Sequence, residues 1–144
     1  AGVTIIAAGE GTGRRGLTAT AVCSVSAEPP TLLVCVNRST DGHGAISASG
    51  AFSVNVVSAE HRPLADRFAG RDGIRGEDRF SEGRWETLAS GAPVLADALA
   101  VFDCRVVETM DWGTHTIFIG AVVAARAEPS RQGLVYRAGG FAAA

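Results

Sequence analysis

Two stretches of the 144-residue sequence combine residue types that could hold a ligand. The first is residues 16–26 (GLTATAVCSVS), where the hydroxyls of Thr18, Thr20, Ser24 and Ser26 are interleaved with small side chains such as Ala19 and Ala21. Small side chains let a flat ring approach the main chain, whose N–H and C=O groups can then bond its polar edge. The same pattern also suits an ordinary strand with a threonine-rich solvent face. The second is residues 36–40, where Asn37, Arg38, Ser39 and Thr40 follow an apolar run. An arginine, two hydroxyls and free loop amides can cradle a phosphate; the plainer reading is a polar turn at a strand end. His115 follows a tight turn and opens residues 114–120 (THTIFIG). Alone it reads as a solvated or capped side chain, and it gains weight only in combination with the other two stretches.

Other chemistries find no support in the residue spacing. Residues 11–16 (GTGRRG) match GxGxxG letter for letter. That fingerprint works only when a helix begins at the glycines and points its N-terminus at a pyrophosphate. Here residues 17–25 (LTATAVCSV) alternate β-branched with small side chains, and no acidic residue stands about 20 positions on to hold a ribose. The glycines are read instead as a hairpin turn needing positive φ. His43, His61 and His115 lie far apart, with no GxSxG elbow and no spacing that suits a hydrolase or a metal site. No metal is expected. Cys23, Cys35 and Cys104 form no CxxC pair and are read as small buried hydrophobes in a reducing cytoplasm.

These residues need a scaffold, and the apolar pattern predicts a mainly β one. Residues 2–8, 17–25, 31–37, 52–57 and 134–137 read as strands, with 31–37 buried on both faces. Residues 99–108 and 114–125 form a hairpin around Asp111, Trp112 and Gly113. A short helix is predicted at 45–49 and a second at 59–69, capped by Ser58. Residues 70–91 are charged and glycine-rich, a surface loop with one short strand near Trp85; its length marks it as a lid or partner contact. Strands in this number suggest a barrel within one domain, residues 1–144. A net charge of −2 offers no nucleic-acid surface. No apolar window approaches the ~20 residues that cross a bilayer, and no secretory signal is visible, so a cytoplasmic protein is expected.

Taken together, residues 16–39, 52–57 (FSVNVV), 64–70 (LADRFAG), 91–95 (GAPVL), 102–108 (FDCRVVE) and 115–123 (HTIFIGAVV) resemble the flavin reductase-like family. These are the small reductase components of two-component flavin-dependent monooxygenases. The resemblance implies a split, Greek-key, FMN-binding β-barrel with two or more short helices, assembled as a homodimer. FMN or FAD would lie in a groove near the subunit boundary. Thr18, Ala19, Thr20 and Ala21 would face the isoalloxazine, while Asn37, Arg38, Ser39 and Thr40 would hold the ribityl phosphate, with Ser24 a further contact. His115 would sit by the nicotinamide of NADH or NADPH as the catalytic residue, and Tyr136 would lie near the flavin or dinucleotide. The implied activity is NAD(P)H:flavin oxidoreduction that supplies reduced flavin to a partner monooxygenase. Alternatives on the same barrel are a non-catalytic FMN carrier or sensor, or a flavoprotein reducing ferric complexes or quinones. The helix that usually precedes the first strand in this family has no counterpart in the sequence.

Overall fold

A computed structural model describes residues 1–128 and 132–144. In chain order the strands are β1 Thr4–Ala8, β2 Arg15–Ala19, β3 Val22–Ala27, β4 Pro30–Asn37 and β5 Ala51–Val56. They continue with β6 Trp85–Thr87, β7 Pro93–Leu95, β8 Ala100–Trp112, β9 His115–Ala127, β10 Leu134–Arg137 and β11 Gly140–Ala143. Helix α1 spans Asp41–Ser49 and α2 spans Arg62–Phe68. Seven strands form one antiparallel sheet in the order β2-β1-β5-β8-β9-β4-β3.

The two edges of that sheet, β2 and β3, are consecutive in the chain and joined by Thr20 and Ala21 alone. A link that short forces the sheet to roll until its edges nearly meet, yet β2 bonds only to β1 and β3 only to β4. The result is a barrel with an open seam. The stretch read as one strand, residues 17–25, is therefore two strands on opposite edges.

Burial follows from this roll. β1 is buried at every position, sending Ile5 and Ala7 to one hydrophobic cluster and Ile6 and Ala8 to another. The second cluster fills the barrel with Leu32, Val34, Val36, Phe52, Val54 and Phe118. The first lies outside β1, where α2 and the segment carrying Phe80 and Trp85 cover the sheet. β4, expected to be buried on both faces, instead alternates: Leu32, Val34 and Val36 are buried, and Thr31, Leu33 and Cys35 are half-exposed. Within the seven-stranded sheet β1 is buried at all five positions and β5 at five of six, because the outer layer covers them. Within this layer Asn55 donates to Ile5 O at 2.9 Å and accepts from Leu95 N at 2.8 Å, so β1, β5 and β7 are tied by one side chain.

Three local expectations shift. The helix predicted at 45–49 starts four residues earlier, because Thr40 caps it by accepting from His43 N–H. The helix predicted at 59–69 is a 3-10 turn, Ala59–His61, followed by α2, with Pro63 in its first turn. Of the glycines in the GTGRRG stretch, Gly11 alone has a positive φ, +54°, while Gly13 ends a 3-10 turn and Gly16 lies inside β2. β11 was not foreseen.

Candidate active site

A cavity of about 710 Å³ opens at the seam. Its floor is β2 and the two-residue link, with Gly16, Leu17, Thr18, Ala19, Thr20 and Ala21 all lining it. The link carries the β3–β4 ladder one bond further and then leaves it. Ala21 O accepts from Cys35 N and Thr20 O from Val22 N, both at 3.0 Å, while the Thr20 and Ala21 N–H groups make no hydrogen bond among the described residues. Thr18 Oγ1 donates to Ala65 O at 2.6 Å, which spends the hydroxyl on joining β2 to α2.

At one end of the cavity stand Asn37, Ser39, Thr40, Asp41 and Gly42. Asn37 Oδ1 accepts from Ser39 N at 2.9 Å and from Ser39 Oγ at 2.8 Å, folding the chain back on itself after β4. Thr40 Oγ1 donates to Asn37 O and accepts from His43 N, so the turn leads straight into α1. The Asp41 and Gly42 N–H groups, which make no hydrogen bond among the described residues, gather with the Ser39 and Thr40 side chains where a phosphate could sit.

The opposite wall comes from the end of α2 and the loop after it: Phe68, Ala69, Gly70, Gly73, Ile74, Arg75 and Arg79. Arg79 holds it. Its Nη1 donates to Gly16 O at 3.0 Å and Phe68 O at 3.3 Å, and its Nε donates to Ile74 O at 2.9 Å. Asp72 braces the same loop by accepting from Ile74 N and Arg67 Nε, both at 3.0 Å. The Ile74 N–H, and then Arg67, hold its carboxyl below the usual carboxylate range. This wall lies in the stretch singled out as a long functional loop, but no residue of it was named as a binding residue. Its signals were the length, charge and glycine content of residues 70–91 and the family-like stretch 64–70.

His115 stands at the rim, opposite Asn37 in the β4–β9 register. Its Nδ1 lies 2.8 Å from Thr114 Oγ1, which orients the ring, and Nε2 has no hydrogen-bond partner among the described residues. Thr18, Ala19, Thr20, Ala21, Asn37, Ser39, Thr40 and His115 are thus brought together. Three other candidates are not. Arg38, although between two lining residues, turns its guanidinium toward Asp111 at 3.8 Å. Ser24 lies on the other side of β3, lining a separate apolar cleft with Val22, Leu32 and Phe102, because strand alternation puts it opposite Cys23. Tyr136 lies on β10 with its ring against Phe141, 5.6 Å between centroids.

Two readings of the reactive side chains also change. Cys104 is buried, but Cys35 lines the cavity and Cys23 is exposed, since β3 and β4 turn those positions outward. His61 does meet a carboxylate: its Nε2 is 3.1 Å from Asp97 Oδ2, and Ser58 Oγ is 3.0 Å from its Nδ1. This is no nucleophile. Ser58 is fully buried, and Nδ1 already accepts the Ser58 N–H in a capping box for the turn that leads into α2. Among the described residues no cluster of His, Cys, Asp and Glu could hold a metal ion, and no helix is long and apolar enough to cross a membrane.

A split barrel with a cavity at its open seam, floored by small residues and ending at the start of a helix, is the architecture of the flavin-binding class of small β-barrels. The chain belongs to the flavin reductase like domain family, whose model matches residues 1–144. It is 43% identical over 136 residues to FMN reductase (NADH) RutF of Bradyrhizobium diazoefficiens, covering 94% of this chain and 74% of that protein. Its fold superposes on BorF, the flavin reductase component of a bacterial two-component tryptophan halogenase, with TM-score 0.89 and 36% identity over 99% of this chain and 89% of that one. It also superposes on the NADH:FAD oxidoreductase SgcE6 of Streptomyces globisporus, solved with NAD and FAD fragments. There the TM-score is 0.87 and identity 34%, covering 98% of this chain and 83% of that one.

Proposed function

We propose that this chain is an NAD(P)H-dependent flavin reductase that passes hydride from NADH or NADPH to FMN or FAD and supplies reduced flavin to a partner monooxygenase. The observation that carries this reading is the pairing of a small-residue slot with an anion site in one cavity. Gly16, Ala19 and Ala21 leave room for a flat ring, and Ser39, Thr40 and the start of α1 lie at the slot's end. The relative named for NADH and FMN favours that pair of substrates.

The flavin itself supplies the hydride-accepting chemistry when bound. The protein's part is to bind and orient. The free N–H groups of Thr20 and Ala21 would bond the polar edge of the ring, and preorganised amides there would favour added negative charge. Asn37, Ser39 and Thr40 would hold the phosphate. His115, its ring fixed by Thr114, would present Nε2 to the nicotinamide amide. Arg79 keeps the far wall in place and Thr18 keeps β2 against α2, so both shape the slot rather than meet the ligand. No acid, base or nucleophile is needed for that transfer.

The working unit would be a homodimer. β3 is an edge strand with four of its six positions exposed, and beside it opens an apolar cleft of about 360 Å³ lined by Val22, Leu32, Val54, Val56, Phe102 and Val122. A second copy of the chain would cover both. The exposed thiol of Cys23 suits a reducing compartment, which supports a cytoplasmic location.

Anaerobic mixing of the protein with FMN and NADH tests the reading. Bleaching of the flavin absorbance at a rate proportional to protein concentration is expected. Tight FMN binding with no NADH oxidation would leave a carrier or sensor instead.

A further inference from the structure

Thr116 joins two hydrogen bonds that lie outside the cavity. Its Oγ1 is 2.6 Å from Asp111 Oδ1 and 2.8 Å from His43 Nε2. A hydroxyl has one proton to give and a carboxylate only accepts. Thr116 therefore donates to Asp111, and the His43 Nε2–H donates to Thr116. The imidazole is fixed in that form, with its ring 5.3 Å from that of Phe118. Thr116 is buried, so water does not compete for the bond.

Strand alternation sends Thr116 and its neighbour His115 to opposite faces of β9. His115, opposite Asn37, lines the cavity with it, whereas Thr116 is opposite Val36 on the inner side. The bond from His43 thus fastens the first turn of α1 to the back of the strand whose front carries the rim histidine. The near side of that turn is held separately: Thr40 Oγ1 donates to Asn37 O at 2.8 Å and accepts from His43 N at 3.3 Å. Asp41 and Gly42, which line the cavity, lie between a cap on β4 and an anchor on β9.

We infer that His43 is a positioning residue for the flavin phosphate: through Thr116, itself set by Asp111, it holds the Asp41 and Gly42 amides at a fixed reach from His115. The inference rests on the reductase reading, which seats the phosphate at the start of α1. His43 touches no ligand. Its effect should appear only with a flavin that carries a phosphate, so that the anchor sets the preference for FMN over riboflavin.

Steady-state reduction of FMN and of riboflavin by NADH, run side by side, tests this. His43→Phe keeps an aromatic ring against Phe118 and loses the N–H; Thr116→Val keeps the shape and loses the hydroxyl. Each should raise the KM for FMN about fivefold, the worth of one hydrogen bond, with kcat and the KM for riboflavin unchanged. The double variant should do no more than either single one, and Thr116→Ser should restore the wild-type KM. Either single variant carries the test if the other does not fold. An equal rise for both flavins, additive effects in the double variant, an unchanged KM for FMN, or loss of the fold in both single variants would each overturn the positioning role. A wild type with the same KM for FMN and riboflavin would overturn the phosphate site and His43's role with it. Absence of NADH oxidation by the wild type would overturn the reductase reading instead, and dissociation constants of the two flavins, from quenching of their fluorescence, would then decide the anchor.

Discussion

Gly16 and Phe68 are packed so closely that a Cβ on the glycine would lie 2.8 Å from the ring's Cε1 and 2.9 Å from its Cδ1. The Ile6 carbonyl oxygen is 3.0 Å away on the other side, so neither neighbour can yield cheaply. Gly16→Ala should cost about 1–3 kcal/mol as an overpacked site. It should also weaken flavin binding, since both residues line the cavity. Gly44→Ala offers the opposite sign: a Cβ there meets nothing within 4 Å inside α1, and a gain of about 0.5–1 kcal/mol is expected. Thermal unfolding of the two variants, run together, measures both.

Arg79→Lys keeps the charge and should still fail to hold the wall. Three main-chain carbonyls, on Gly16, Phe68 and Ile74, depend on the planar fork of the guanidinium. The loss should be about 1–3 kcal/mol of stability. Faster amide exchange across residues 70–79 is expected, and exchange unchanged from wild type there would argue against the clamp.

His115→Ala should separate the two substrates. If Nε2 meets the nicotinamide amide, the dinucleotide KM should rise about five- to tenfold, the worth of one hydrogen bond, while FMN affinity changes little. Flavin titration by fluorescence, set beside steady-state kinetics, reads the two effects separately. An equal loss of both would remove His115 from that role.

The Cys104 thiol is pushed up to about 12, chiefly by burial and then by the neighbouring Asp103 charge. In the unfolded chain it ionises near its ordinary value of 9.0. Between these values the folded protein holds a proton that the unfolded chain releases, so stability is intact below pH 9 and falls as pH rises toward 12. The slope contributed is up to about 1.4 kcal/mol per pH unit. Cys104→Ala should flatten that part of the curve. In iodoacetamide labelling at pH 8 the exposed Cys23 should react in the native protein, and Cys104 only after unfolding.

How much of this could be read from the chain depends on what carried each part. The floor and the polar end of the cavity were legible because residue type carries them: small side chains at Ala19 and Ala21, hydroxyls and an amide at Asn37, Ser39 and Thr40. The break between β2 and β3 was not, since Thr20 and Ala21 contain no breaker and their conformation is imposed by the closing of the barrel. α1 was placed late because Gly42 and Gly44 depress helix propensity in its first turn, and the Thr40 cap outweighs them. The Phe68–Arg79 wall contributes mainly through backbone and through the long reach of one arginine, and neither leaves a local pattern. Arg38 had the right type beside the right residues, yet its side chain found Asp111 from a distant hairpin. The pairing of His61 with Asp97 was hidden in the same way, by 35 intervening residues.

The rolled sheet stops one ladder short of closure, and its bare β2 edge, with the link to β3, lines the place where the ligand would go. A bound ring would occupy main-chain donors that another polypeptide strand could otherwise recruit. Cofactor supply would then govern solubility as well as turnover: protein made in cells starved of flavin should clump more readily than protein from replete cells, in proportion to the fraction of empty seams.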